Sequence, residues 1–194
     1  MTVLDRAIEF ATHAHEGQTR KFSGTPYILH PLEVAAIIAT MTGDVDVMAA
    51  GVLHDTVEDC NVSPEEIREK FGPHVYQLVM SETEDKLEDR PAAETWKERK
   101  EDSLLALKLT RSSEVRILWL GDKLSNLRSF WRESLTQGDR VWQYCNQKDP
   151  KEQEWYYRSV LACLPELSDT AAYKEFSNLV TNLFGEKKNE TDHL

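Results

Sequence analysis

Cysteine is scarce in this chain of 194 residues. Cys60, Cys145 and Cys163 are the three present, an odd set with no CxxC spacing. That pattern argues against a disulfide framework and for reduced thiols in a cytoplasmic protein. Long apolar runs are also missing. No stretch is long enough to span a bilayer, and the N-terminus lacks a basic-apolar signal pattern, so no membrane association is expected. Without a secretory route, the glycosylation-like matches at Asn61 and Asn189 carry no meaning. Positive charge is outnumbered, with 23 Lys and Arg against 34 Asp and Glu and a formal net charge of −11. Bulk charge therefore excludes nucleic acid as a partner, and a polyanionic ligand would need a local basic pocket. Internal repeats and strand-like alternation are absent. Every periodic segment has helical spacing, which predicts an all-α fold, a compact multi-helix bundle. The length suggests one domain over 1–185, with a polar tail at 186–194.

Taken in order, Thr2 can cap a first helix ending near Gly17. A loop from Gly17 to Tyr27 carries Arg20, Lys21 and two glycines, so it is either a phosphate-approaching loop or an ordinary polar connection. His30-Pro31 opens a second helix, Gly43 ends it, and Asp44 caps an apolar helical run from Val45 to Val57. Ser63-Pro64-Glu65-Glu66 reads as a capping box, with stops at Phe71-Gly72 and a short helix from Pro73 to about Met80. Ser81 to Ala92 reads as a flexible charged loop in which Lys86 is solvated or reaches a ligand. Glu94 to Leu109 is helical, with Leu104, Leu105, Leu107 and Leu109 directed inward. Lys97, Arg99 and Lys100 form a solvated face or, less simply, a phosphate site. Ser113, Asp149 and Ser168 are expected to cap the last three helices.

Chemistry concentrates in Leu53–Asp59. On a continuous helix Glu58 lies one turn beyond His54, and Asp59 one turn beyond Asp55. This is either a solvated helix face or a cleft, and three carboxylates on one helix end repel unless a cation or basic groups offset them. Asp122 follows a buried apolar run and needs a partner, either Lys123, Arg128 or a cation, and Asn126 shares its face. His30, His54, Asp55 and Asp122 together offer two imidazoles and two carboxylates with room for water, a set that suits Mn2+ or Fe2+ better than Mg2+. Glu58 and Asp59 would then orient or deprotonate a water.

The order His…His-Asp…Asp resembles the HD metal-dependent phosphohydrolase superfamily. The resemblance narrows to the RelA/SpoT hydrolase domain through Ala14–Lys21, Gly24–Ile28 with His30-Pro31, His54–Asp59, Phe71-Gly72 and Asp122–Arg128, covering residues 5 to about 130. The remainder, chiefly Trp155-Tyr156-Tyr157-Arg158, is similar to the small alarmone hydrolases. The resemblance implies that His30, His54, Asp55 and Asp122 hold one Mn2+ and that Glu58 and Asp59 position and activate water. It implies further that Arg20, Lys21 and Ser23 contact the nucleotide, that Asn126 lies near the ribose, and that Tyr156 or Tyr157 touches the ligand. The implied substrate is guanosine tetra- or pentaphosphate, cleaved at its 3′-pyrophosphate to GDP or GTP. No synthetase region is matched, so alarmone synthesis is not expected. Gly121 stands where the family usually has Ala, a small-for-small change expected to cost little. Two rivals remain: an HD phosphatase acting on another nucleotide, such as NADPH or a deoxynucleotide, and a non-catalytic nucleotide-binding module.

Overall fold

A computed structural model describes residues 1–21, 23–84, 86–87 and 89–185; the expected tail at 186–194 lies outside the described residues. Helix α1 (Val3–Ala14) starts in a capping box, in which the Thr2 hydroxyl accepts from the Asp5 N–H at 3.1 Å and the Asp5 carboxylate accepts from the Thr2 N–H at 2.7 Å. It ends earlier than the expected Gly17. Gly17 and Gly24, at φ +78° and +66°, allow the loop that follows to fold back on itself. There an isolated antiparallel bridge joins Thr19 to Pro26, and the Arg20 N–H donates to the Thr25 carbonyl at 2.8 Å. Among the described residues there is no strand, and the all-α expectation holds.

Helix α2 (Leu29–Ile38) carries His30 in its first turn, and α3 (Val45–Leu53) is capped by Asp44 as expected. The apolar run does not continue to Val57 as one helix. It breaks at His54-Asp55 and restarts as the single turn α4 (Thr56–Asp59). The Thr56 hydroxyl donates to the Leu53 carbonyl at 2.7 Å, a local bond that competes with the helical ladder. Helix α5 (Pro64–Glu82) is kinked at Gly72, φ +89°, so it is two helices end to end, and it runs two residues past Met80. In α6 (Ala92–Leu109), Leu104 and Leu107 point inward, while Leu105 and Leu109 are 55% and 70% exposed. Four leucines spread over six positions cover more than one helical face.

Helix α7 (Ser113–Gln137) is capped by Ser112, one residue before the expected Ser113. After a 3-10 segment (Gly138–Tyr144) comes α8 (Pro150–Ala162), capped by Asp149 as expected. Helix α9 (Ala171–Phe184) is capped by Thr170, because Ser168 closes a short 3-10 turn instead. No helix of the described residues is long and apolar enough to cross a membrane.

Helix α3 sits at the centre, packed on α1, α2, α5 and α7, with Val47 and Ala49 through Leu53 buried. Two glycines set how close its neighbours come. A Cβ on Gly51 would meet Ile38 Cδ1 at 2.4 Å, and one on Gly121 would meet Ile38 Cγ1 at 2.9 Å. Ile38 is fully buried, so an alanine introduced at 121 would require the core to shift, and this chain is packed around its glycine. This close approach of α2, α3 and α7 also brings His30, His54 and Asp122 to one point.

Candidate active site

His30, His54 and Asp122 are 3–4% exposed, and one ligand atom from each lies within 4.8 Å of the others. Asp55 completes a ring. Its Oδ2 lies 3.5 Å from His30 Nε2 and 3.0 Å from His54 Nε2, while Asp122 Oδ1 lies 3.1 and 3.5 Å from the same two nitrogens. Imidazole nitrogens thus alternate with carboxylate oxygens around a common centre. Lys123 pairs with the other oxygen of Asp122 and with Glu82, whereas Arg128 turns away to Glu33 and Glu175.

The His54 ring has a defined orientation. Its Nδ1 lies 2.9 Å from the Gly51 carbonyl, which can only accept, so Nδ1 carries the hydrogen. Nε2 then presents its lone pair to the centre, where it is buried with no hydrogen-bond partner. An orphaned, buried nitrogen facing two carboxylates fits a divalent cation, and mixed N/O donors fit a borderline ion. Electrostatics agree. Burial alone would raise the Asp122 and Asp55 carboxyls, yet Lys123 and the imidazoles hold the first, and His54 and His30 the second, well below the ordinary carboxylate range. Burial lowers the His30 imidazole, while Asp55 and Asp122 outweigh burial and raise that of His54.

Glu58 is pushed up from the usual carboxylate range by burial, then by the nearby Asp55, Glu84 and Asp59, in the direction that suits a proton acceptor. Asp59 accepts from Lys86 Nζ at 2.7 Å, and the same ammonium donates to the Glu58 carbonyl at 2.6 Å. Lys86 is therefore not simply solvated: it sits on the acidic pair.

A hollow of about 310 Å³ opens beside the ring. Arg20, Lys21, Lys100 and Lys123 line it against the single acid Asp59, a local positive excess in an acidic chain. Arg20 donates to Ser129 Oγ at 3.0 Å and approaches Asn126 Oδ1 at 3.5 Å; Asn126 in turn donates to Asp122 Oδ1 at 2.7 Å. Tyr156 and Tyr157 both form part of the wall, and the buried Tyr156 hydroxyl lacks a partner. Ser23 does not line the hollow; its hydroxyl pairs with that of Thr25 at 2.7 Å. The basic patch on α6 is a solvated face only at Lys97, which is 39% exposed at the side chain. Arg99 is buried against Glu84 at 2.8 Å, Lys100 reaches Glu84 at 2.5 Å, and Lys97 reaches Glu152 at 2.6 Å. A larger hollow, about 440 Å³, lies between α5, α6 and α7; Arg99 lines it, but none of the ring residues, Glu58, Asp59, Arg20 or Lys21 does.

Sequence reasoning passed over Tyr27, whose hydroxyl donates to Asp55 Oδ2 at 2.6 Å and is held protonated chiefly by burial and by that carboxylate. It lies three residues before His30, a spacing that could have flagged it. Lys123 was weighed only as a partner for Asp122, and it also faces the hollow.

The HD domain family pattern matches residues 7–147, and the chain belongs to the HD domain family. Within that class it is of the RelA/SpoT type. It is 40% identical over 127 residues to the guanosine-3′,5′-bis(diphosphate) 3′-pyrophosphohydrolase of Vibrio cholerae, a match covering 65% of this chain and 18% of that protein. It is 39% identical over 127 residues to a GTP pyrophosphokinase of Streptomyces coelicolor, covering 65% and 14%. The chain thus spans less than a fifth of the length of these relatives. Among solved structures, a metazoan orthologue of SpoT described as hydrolysing ppGpp superposes with a TM-score of 0.76 at 26% identity, over 96% of this chain and 98% of that one. The lmo0812 protein of Listeria monocytogenes gives 0.70 at 31% identity, over 81% and 99%. The fold and the buried His/His/Asp group are those of an HD phosphohydrolase related to ppGpp hydrolases.

Proposed function

We propose that residues 1–185 form one hydrolase domain that cleaves guanosine tetra- or pentaphosphate at the 3′-pyrophosphate, releasing pyrophosphate and GDP or GTP. The observation that carries this reading is the alternating ring of His30, His54, Asp55 and Asp122, with an orphaned Nε2, opening beside a basic hollow in a protein of net charge −11. These four residues would hold one Mn2+. Such a cation supplies Lewis-acid stabilisation of charge on phosphate oxygens and lowers the pKa of a bound water.

The chain's own residues do the rest. Arg20 and Lys21 meet the phosphates with charge-assisted bonds, and Asn126, tied to Asp122, holds the ribose near the ring. Glu58 takes the proton of the attacking water, and Asp59 orients that water once Lys86 has turned to the ligand. The apolar and aromatic wall at Tyr156 and Tyr157 keeps solvent from the reacting phosphate. Its free cysteines fit work in the reducing cytoplasm. A hydrolysis screen with added Mn2+ over purified nucleotides, with products identified, tests the reading. Turnover of the alarmone above NADPH and deoxynucleotides supports it. Preference for either of the latter replaces the substrate, and no turnover of any nucleotide leaves only a binding module.

A further inference from the structure

We propose that Ser125 and Glu33 are positioning residues that lock the His30 imidazole in the tautomer able to bind a cation. The proposal rests on the metal reading above and extends it to residues that touch neither metal nor substrate. His30 Nδ1 lies 2.9 Å from Ser125 Oγ, a contact that is buried on both sides. A serine hydroxyl has one hydrogen. Here that hydrogen goes to Glu33 Oε2 at 2.7 Å, an oxygen that only accepts. Toward His30 the hydroxyl is therefore an acceptor, Nδ1 must carry hydrogen, and the Nε2 lone pair is left for the centre.

Glu33 is held in turn. Its Oε1 accepts from Arg128 Nη1 at 3.2 Å, and Arg128 is fixed by two parallel bonds to Glu175, Nε to Oε1 at 2.6 Å and Nη2 to Oε2 at 2.7 Å. The chain of bonds runs from α9 through α7 to the first turn of α2. The two imidazoles thus reach the same tautomer by different means. His54 uses the Gly51 carbonyl, which no substitution removes, while His30 depends on side chains. Without Glu33, the Ser125 hydroxyl is free to rotate and donate to Nδ1, favouring the form with hydrogen on Nε2, which cannot ligate.

The test compares wild type with Ser125→Ala, Ser125→Thr and Glu33→Ala in the full chain. Mn2+ affinity is measured by titration, and the His30 Hδ1 proton is followed by NMR in 15N-histidine-labelled protein loaded with diamagnetic Zn2+. Ser125→Ala should weaken Mn2+ binding by roughly 10–100-fold, as the loss of a ligand-orienting partner does, and abolish the slowly exchanging Hδ1 signal. Ser125→Thr, which keeps the hydroxyl, should restore both, and Glu33→Ala should show a smaller loss of each. Glu33 is partly exposed, so this variant decides the matter if Ser125→Ala does not fold. Unchanged affinity, or lost affinity with an unmoved Hδ1 signal, overturns the lock. A wild-type protein that binds neither ion contradicts the metal reading itself, a separate result.

Discussion

The inner wall of the site is held by buried partners, whereas at the outer wall solvent reaches the Lys86–Asp59 ion pair. His30, His54 and Asp122 come from three helices pressed together at Gly51 and Gly121, and removing one member of such a set leaves another charge or lone pair stranded in the core. Breaking a buried pair of this kind costs about 3–5 kcal/mol. Lys86 and Asp59, by contrast, are 37% and 38% exposed at the side chain, and a pair of that type contributes about 0–1 kcal/mol. The inner wall is thus preorganised, whereas the Lys86–Asp59 pair at the outer wall can open at small cost, as the proposed function requires.

The contrast breaks most sharply at the inner wall. His54→Ala or Asp122→Ala should remove both bound metal and turnover, as should EDTA in the unaltered protein, with Mn2+ restoring the latter. Elemental analysis beside the nucleotide assay checks this, and a chelated protein at full activity ends the metal assignment. The acidic pair comes next. Glu58→Gln should lower kcat by about 10²–10⁴ while leaving metal content intact, as for a lost general base. If metal and activity fall together, Glu58 is a ligand and not a base.

At the outer wall the effect should be one of affinity. Arg20→Ala removes a charge-assisted contact and should raise KM for the alarmone by about 10–100-fold with kcat little changed. A nucleoside monophosphate should be affected less, and an equal effect on both would trace the loss to the folding of the loop. The smallest effect belongs to His74, which belongs to neither the ring nor the lining of the hollow and bridges Glu114 and Asp46 at 3.2 Å each. Those hydrogen bonds raise its folded-state pKa above the ordinary histidine value. Its stabilisation is therefore complete below about pH 6.5 and fades as pH rises through the raised value. Urea titrations across this range should show His74→Gln flattening the pH dependence of stability slightly; an unchanged slope removes the bridge from the account.

The inner wall was largely legible in the sequence, and the reason is local. His54 and Asp55 are adjacent, Asp122 ends an apolar run, and His30 precedes Pro31, so each stood out against helical periodicity. What the sequence hid was non-local or conformational. The run Val45–Val57 kept its apolar period through Asp55, so nothing in the pattern announced the break that turns Asp55 toward His54. Lys86 and Arg99 looked solvated because their partners lie 27 and 15 residues away, at Asp59 and Glu84. Glu33 sits one turn from His30, yet its link runs through Ser125, 92 residues on. Ser113 and Ser168 were plausible caps displaced by equally good ones at Ser112 and Thr170.

Product identity tests the central claim most directly. Guanosine tetraphosphate is incubated with Mn2+-loaded protein free of contaminating pyrophosphatase, and the first products are separated by chromatography. An inner wall that fixes the ligand rigidly at its 3′-pyrophosphate should give GDP and intact pyrophosphate, since alignment at one bond is what proximity rewards. Orthophosphate as the first product, or an alarmone left untouched while NADPH or a deoxynucleotide is turned over, would contradict it.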